Sequence, residues 1–177
     1  MGLGPGVSCS INLNSSLTAE HKKLYQDPET VRKILRESKT IAIVGLSAAQ
    51  QKASYFVATY LRAAGYRIIP VNPKASEILG EKCYPSLADV PEHIDLVDIF
   101  RPAADCVQIV EEAIACKAGA VWMQLRIINL AAAERALKAG LPTIMDLCVK
   151  MEHGRYSGGL HEAGMNTEII SARRTRL

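Results

Sequence analysis

The chain has 177 residues, enough for about one domain that buries a sizeable core without disulfides or a metal ion. Its residues are 49% hydrophobic and only 5% aromatic, which favours a globular α/β protein with closely packed aliphatic side chains. The net charge of +3 is matched by Arg173, Arg174 and Arg176, so the rest of the chain is neutral and lacks the basic stripe of a nucleic-acid-binding protein.

The N-terminal part combines an irregular leader with two capped helices. Residues 1–16 are rich in Gly, Ser and Asn and show little periodicity, so we expect a flexible leader there. Thr18 can cap a short helix. Asp27 and Pro28 suit the N-cap and the first position of a second helix, whose apolar stripe ends near Ser38.

Five short apolar runs follow, and none of them alternates with polar residues. The runs cover residues 41–46, 67–71, 96–100, 120–125 and 143–147. Continuous runs of this length that are rich in β-branched residues are typical of parallel strands covered on both faces. The helical stretches between them cover residues 54–64, 103–117 and 130–139, with a single turn at 87–90.

The exits of three predicted helices share one construction. Gly65, Gly119 and Gly140 each follow a helix and precede a strand, where glycine can take the left-handed conformation that ends a helix. The repetition predicts an α/β fold, a Rossmann-like doubly wound sheet of five parallel strands with helices on both faces. We assign this domain to residues 17–150 and expect a loop-rich C-terminal extension over residues 151–177.

The first strand ends in the segment VGLSAAQQKASY. Ligands of open α/β sheets bind beyond the carboxyl ends of the strands. Here Gly45 permits a sharp turn, Ser47 offers a hydroxyl and an N–H group, and Lys52 precedes a helix whose unpaired N–H groups begin near Ser54. The pattern favours a phosphate, although both G-x-G-x-x-G and the P-loop signature are absent. The alternative is a glycine that only joins a strand to a helix.

The second strand ends in Asn72, Pro73 and Lys74, and no acidic residue follows until Glu77. An NAD site needs an acidic residue near this position to bind the ribose hydroxyls. Asn72 can instead bond a ribose or base, Pro73 stiffens the loop, and Lys74 can contact a phosphate on the ribose. These residues indicate NADP or coenzyme A, unless they form a rigid turn with a solvated lysine.

The third and fourth strands add further candidate residues. Phe100 and Arg101 end the third strand, where Arg101 could contact a pyrophosphate and Phe100 could line an apolar channel. Gln124 lies near the end of the fourth strand, close to Arg126. Because neighbouring residues of a strand point to opposite faces, only some of these side chains can contact one ligand.

With these residues assembled, the chain resembles the family of small, stand-alone CoA-binding proteins. Their Rossmann-like domain is similar to the N-terminal part of the succinyl-CoA synthetase α-subunit. The resemblance runs from about Asp27 to His153 and rests on several separate motifs in order. The motifs are TIAIVGLS, SYFVATYLRAAGYRIIPVNPK, ILGEKCYPSLADVPEHIDLVDIFR, AVWMQL and MDLCVKMEH.

The resemblance implies coenzyme A as the ligand. It implies Gly45 and Ser47 at the pyrophosphate, residues 72–74 near the adenosine and its 3′-phosphate, and Phe100 and Arg101 along the pantetheine.

The chain departs from the family pattern at two positions near the thiol end of that site. Arg126 stands where family members often have glycine, and Leu147 stands where they often have arginine.

The cysteines and histidines offer rival sites. Five widely spaced cysteines without a C-x-x-C pair indicate reduced thiols, and Met1–Ser10 lacks the regions of a signal peptide, so we expect a cytoplasmic protein. Asp146, Cys148, His153 and His161 match no zinc spacing, so we expect no metal site.

These observations leave three functional hypotheses. We expect a non-catalytic protein that binds CoA or an acyl-CoA and contacts neither nucleic acid nor a membrane. A homo-oligomer is compatible with the sequence. One alternative is an NADP-type oxidoreductase. The other is an enzyme that acts on a CoA thioester, with Cys148 as nucleophile and His153 as its base.

Overall fold

The structure is a computed structural model that describes residues 17–157. These residues form a domain built on a parallel sheet of five strands. The expected leader, residues 1–16, and residues 158–177 of the expected extension lie outside it. The strands of the sheet are β1 (Thr40–Val44), β2 (Arg67–Val71), β5 (Leu96–Ile99), β6 (Ala120–Met123) and β7 (Thr143–Met145). Two short strands, β3 (Glu77–Ile78) and β4 (Glu81–Lys82), form a separate antiparallel pair.

The strands lie in the order β2-β1-β5-β6-β7, and every neighbouring pair is parallel. In this register Ile43 of β1 lies beside Asp98 of β5, which lies beside Trp122 of β6. The predicted five-stranded parallel sheet is therefore confirmed. Because the strands are parallel, their C-terminal ends meet at one edge of the sheet, the carboxyl edge.

Six helices surround the sheet in residues 17–157. They are α1 (Ala19–Tyr25), α2 (Pro28–Glu37), α3 (Ala53–Ala63), α4 (Cys106–Ala115), α5 (Leu130–Lys138) and α6 (Val149–Ser157), with 3₁₀ turns at Leu87–Asp89 and Ala103–Asp105. The Thr18 and Asp27 side chains accept hydrogen bonds from the first turns of α1 and α2, as predicted. No helix in these residues combines the length and apolar character needed to cross a membrane.

Two hydrophobic clusters, one on each face of the sheet, form the core. One contains Ile43, Trp122 and apolar side chains of α2, α3 and α6. The other contains Val97, Met123 and apolar side chains of α1, α4 and α5. Each fully buried aliphatic side chain contributes roughly 1.5–3 kcal/mol to folding. Since α3 follows β1 on one face and α4 follows β5 on the other, the connections diverge between β1 and β5.

The three predicted glycine exits do not all behave alike. Gly65 and Gly140 have positive φ angles of 98° and 82°, as predicted. The prediction for Gly119 is wrong, because Lys117 takes the left-handed conformation there, with a φ of 54°. Gly119 instead lies against the backbone before β5, where a Cβ atom would come within 2.6 Å of the Asp95 carbonyl oxygen. Close backbone packing requires this glycine.

Helix α6 corrects the prediction of loop structure from residue 151 onward. The segment contains Gly154, and its sequence has no strong apolar stripe, so local propensity gives little signal for a helix. Val149 and Glu152 are nevertheless buried, and α6 packs against α2 and α3. Tertiary packing therefore stabilises a helix that the local sequence only weakly favours.

Candidate functional site

A cleft of about 400 Å³ lies at the carboxyl edge, where β1, β2 and β5 end. Its lining includes five of the predicted site residues, Gly45, Asn72, Pro73, Lys74 and Arg101. The cleft lies between the ends of β1 and β5, where the connections diverge to opposite faces of the sheet. Doubly wound proteins bind their ligands at this kind of switch point.

A second cleft, of about 450 Å³, lies at the opposite edge of the sheet. Ser38, Asp95, Gly119 and Thr143 at its lining stand at or near the starts of strands. In parallel sheets, the loops and helix N-termini that bind ligands converge at the carboxyl edge. The smaller cleft is therefore the better candidate site.

Gly45 joins the exits of β1 and β5 beneath the cleft. Its φ is 87°, and its N–H donates to the Val71 carbonyl at 2.9 Å. A Cβ atom there would lie 2.7 Å from the Phe100 carbonyl oxygen and 2.9 Å from Cδ of Arg101. Glycine is thus required both by the backbone angle and by the space.

The loop after Gly45 is held by its own serines. The Ser47 N–H donates to Oγ of buried Ser54 at 3.1 Å, and Oγ of Ser47 accepts from the Ala49 N–H at 3.2 Å. The N–H group that the sequence assigned to a ligand is therefore engaged within the protein. Ser47 and Ser54 shape the approach to α3 rather than line the cleft.

The N-terminus of α3 has no side-chain cap. Its N-cap residue is Lys52, whose exposed side chain has no acceptor atom, whereas the Asn129 side chain caps α5 by accepting from the Ala132 N–H at 2.9 Å. The first N–H groups of a helix have no intrahelical acceptor. The start of α3 consequently suits an anion, both through these groups and through the neighbouring ammonium.

Asn72 stabilises the loop after β2 through hydrogen bonds of both polar atoms of its side-chain amide. Its Nδ2 donates to the Leu46 carbonyl at 2.8 Å, and its Oδ1 accepts from the Lys74 N–H at 2.9 Å. These bonds tie the loop after β1 to the loop after β2. Lys74 is left exposed at the cleft.

Arg101 is less free than the sequence suggested. Its Nη2 lies 2.8 Å from Oδ2 of Asp105, and its Nε donates to the same oxygen at 3.0 Å. Asp105 and Glu112 both line the cleft. Phe100 is half-buried and packs against the hydrophobic cluster that contains Trp122.

Gln124 lies in the core, away from the cleft lining. Its Nε2 donates to Oδ1 of Asp98 at 2.7 Å, and its Oε1 accepts from the Val149 N–H at 3.3 Å. The second carboxyl oxygen of Asp98 has no hydrogen-bond partner in residues 17–157. Burial raises the pKa of Asp98 to about 7, and the bond from Gln124 offsets part of that rise. The sequence did not lead us to predict the Asp98–Gln124 pair. Its signal was the single aspartate within the otherwise apolar strand segment LVDIF.

Of the residues in the rival sites, His153 contacts a tyrosine. His153 Nδ1 lies 2.9 Å from the Tyr60 hydroxyl, between α6 and α3, and burial lowers the pKa of His153. His161 lies outside the described residues. Within residues 17–157, no three potential ligands among His, Cys, Asp and Glu come together for a metal ion.

Residues 39–154 match the family described as a CoA binding domain. The Bacillus subtilis protein YneT is 38% identical over 123 residues, which cover 70% of this chain and 91% of YneT. The solved structure of a hypothetical protein from Pyrococcus horikoshii has a TM-score of 0.72 and 40% identity, over 74% of this chain and 92% of that chain.

A longer relative shares a smaller region. The ADP-forming acetate–CoA ligase of Methanocaldococcus jannaschii is 38% identical over 80 residues, which are 45% of this chain and only 11% of the ligase. The family match, in contrast, covers more than half of this chain, and YneT is matched over nearly its whole length. The chain therefore belongs to the CoA-binding domain family.

Proposed function

We propose that this protein binds CoA or an acyl-CoA in the cleft between β1 and β5, as a binding module without a reaction of its own. The observation that carries the proposal is the coincidence of the family match with a cleft at the switch point of the sheet. A cleft of about 400 Å³ falls within the size range of small-molecule sites, roughly 300–1,000 Å³.

The pyrophosphate would lie between Gly45 and the start of α3. Gly45 lies at the cleft lining because its missing side chain lets the exits of β1 and β5 pack together, and the uncapped first turn of α3 offers N–H donors. Lys52 adds a positive charge beside that turn. An anion at a helix N-terminus gains roughly 0.3–1 kcal/mol at an exposed site.

The adenosine end would lie at the loop after β2. Asn72 fixes the conformation of this loop, and Lys74 offers an ammonium to the 3′-phosphate of the ribose. The loop has no acidic residue to bind a free ribose diol, which disfavours NAD. Pro73 at the lining restricts the loop further.

The pantetheine arm would leave the pyrophosphate across the end of β5. Arg101 lies there, and a bound phosphate would compete with Asp105 for its guanidinium. The half-buried ring of Phe100 would contribute to the apolar wall beside the arm.

Three of the four described cysteines, all except the Cys148 of the catalytic alternative, are poor nucleophiles, and His153 has a partner other than a cysteine. Burial raises the pKa of Cys106 to about 11 and also raises the pKa values of Cys83 and Cys116, so these thiols are protonated at neutral pH. His153 is engaged by Tyr60 rather than by a cysteine.

The first test compares CoA with dephospho-CoA, NADP and NAD by calorimetry. We expect CoA to bind most tightly and NAD most weakly. Lys74→Ala should erase the gap between CoA and dephospho-CoA, because one charge-assisted hydrogen bond is worth roughly 1.5–3 kcal/mol, or about 10- to 150-fold in affinity.

Lys39→Ala is the matched control, since it removes an exposed lysine at the start of β1, at the opposite edge of the sheet. It should leave the gap intact. Equal binding of CoA and dephospho-CoA to the unmutated protein would overturn the role of Lys74. Tighter binding of NADP than of CoA would favour the oxidoreductase.

Turnover is tested separately with CoA, ATP and short carboxylates in a coupled assay. We expect no product from the homogeneous protein. Product formation that disappears in Cys148→Ala or His153→Ala would show that the binding-module proposal is wrong.

A further inference from the structure

A strained contact connects the exits of β6 and β7 at the carboxyl edge. Arg126 and Asp146 both have left-handed backbone angles, with φ of 66° and 60°. The Arg126 N–H donates to Oδ1 of Asp146 at 2.6 Å. Asparagine and aspartate adopt this conformation fairly readily, whereas arginine does not. Strain of this kind, at the edge that carries the cleft, suggests that the arginine side chain has a role there.

The guanidinium of Arg126 is available to a ligand. Arg126 is exposed, and within residues 17–157 its guanidinium has no hydrogen-bond or ion-pair partner. Every other arginine in those residues has a carboxylate or carbonyl partner. A planar guanidinium of this kind suits bidentate binding of a carboxylate.

The sheet order places Arg126 beyond the cleft on the side away from Lys74. From β2 the order continues through β1 and β5 to β6, and neighbouring strands are about 4.8 Å apart, so β6 lies roughly 10 Å from β1. The Asn129 Nδ2 donates to the Ala103 carbonyl at 2.7 Å, which ties the loop after β6 to the loop after β5. An extended pantetheine arm is longer than two strand spacings, so a ligand that starts at Lys74 and crosses β5 can bring its thioester to Arg126.

We propose that Arg126 binds a carboxylate at the far end of the acyl group, so that the preferred ligand is the CoA thioester of a dicarboxylic acid. The inference rests on the proposed function, because it uses the same cleft and the same direction of the CoA arm. Arg126 is then a specificity-determining residue, and Asp146 is the positioning residue that holds its backbone.

The test measures affinity by calorimetry for three pairs of thioesters with equal carbon number. The pairs are malonyl- and propionyl-CoA, succinyl- and butyryl-CoA, and glutaryl- and pentanoyl-CoA. At least one dicarboxylic member should bind about 10-fold more tightly than its partner, as one charge-assisted hydrogen bond predicts. The affinity of the unmutated protein for free CoA is the reference.

Two variants test the residue itself. Arg126→Gly removes the guanidinium at a backbone angle that glycine accepts. In this variant the affinities of the two members of the preferred pair should differ by no more than about twofold. Arg126→Lys keeps the charge but loses the bidentate geometry, so it should retain an intermediate preference.

The outcomes separate this inference from the proposed function. If free CoA binds and no pair differs, the assignment of Arg126 is wrong and the proposed function stands. A preference that survives in Arg126→Gly also overturns the assignment. If neither CoA nor any thioester binds, the proposed function itself fails.

Discussion

Gly45 illustrates how the candidate site depends on single residues that do not project into it. Its missing side chain lets the exit of β1 touch the exit of β5, at a position where a Cβ atom would meet the Phe100 carbonyl. Hydrogen bonds within the protein, not with the cleft, engage the side chains of Ser47, Ser54 and Asn72. Close packing and internal bonds therefore shape the cleft, while its charged side chains are Lys74, Arg101, Asp105 and Glu112.

Gly45→Ala should destabilise the protein by at least about 2 kcal/mol, because it combines a left-handed backbone angle with a clash against backbone atoms. Gly140→Ala is the matched control: its φ is 82°, similar to that of Gly45, but no atom beyond its own chain neighbours lies within 4 Å of the added Cβ. The free energy of unfolding of the control should fall by only about 1 kcal/mol. Urea unfolding of both variants measures the difference, and equal losses would contradict the packing argument.

Helix α6 shows how elements support one another on one face of the sheet. The His153 ring makes edge contacts with the rings of Tyr60 and Tyr66, with centroid distances of 5.5 and 5.4 Å. The Lys150 ammonium lies 4.2 Å from the centroid of the Phe56 ring on α3. These contacts, together with the bond from Val149 to Gln124, attach α6 to α3 and to the sheet.

The attachment of α6 should weaken in acid. Burial lowers the pKa of His153, so below the unfolded value of about 6.5 the unfolded chain binds the proton more readily than the folded one. The stability that neutral His153 contributes is therefore present above that pH and is lost as the pH falls. Urea unfolding between pH 8 and pH 5 should show a larger loss for the unmutated protein than for His153→Gln.

Tyr60→Phe tests whether the acid-dependent loss of stability comes from the burial of His153 or from its hydrogen bond. It removes the hydroxyl that contacts His153 but keeps the ring edge. Because burial is what lowers the pKa of His153, the acid-dependent loss should persist in Tyr60→Phe. Identical pH profiles for the unmutated protein and His153→Gln would refute the role of His153. Buried Glu152, present in all three proteins, cancels in the comparison.

At the scale of the whole molecule, a carboxyl group lies at the centre of the sheet. Asp98 belongs to β5, the middle strand in the order, and is fully buried. It connects through Gln124 to the N-terminus of α6, so one network joins β5, β6 and α6. A group in this position is exposed only when the whole domain unfolds.

Asp98→Asn should change the pH dependence of global unfolding. Burial raises the pKa of Asp98 from 3.8 to about 7, so the folded state binds the extra proton between these values. The stability associated with Asp98 is then fully present below about pH 4 and is lost as the pH rises through 7. As the pH rises through that window, the free energy of unfolding of the variant should increase relative to that of the unmutated protein, by about 1.4 kcal/mol for each unit of pKa difference.

Urea unfolding at pH 5 and pH 8 measures this gain. Asparagine keeps an oxygen for the bond from Gln124, so the packing around β6 should be retained. A constant difference between the two proteins at both pH values would mean that Asp98 is not protonated in the fold.

Local sequence patterns were sufficient to predict the features that leave a signature within a short segment. Continuous apolar runs predicted the five strands, and Asp27 with Pro28 predicted the start of α2, because burial on both faces and helix capping leave direct signatures in short segments. Gly45 and residues 72–74 could be placed at one edge because the ends of parallel strands must meet.

Features that depend on contacts between distant segments became evident from the three-dimensional structure. The close approach to Asp95 explains Gly119, packing on α2 and α3 stabilises α6, and burial of Gln124 beside Asp98 removes it from the cleft lining. The contact between Tyr60 and His153, 93 residues apart, and the lack of a partner for the Arg126 guanidinium within residues 17–157 are likewise not evident from the sequence. Side-chain partners are chosen by three-dimensional proximity and burial, which residue spacing along the chain does not specify.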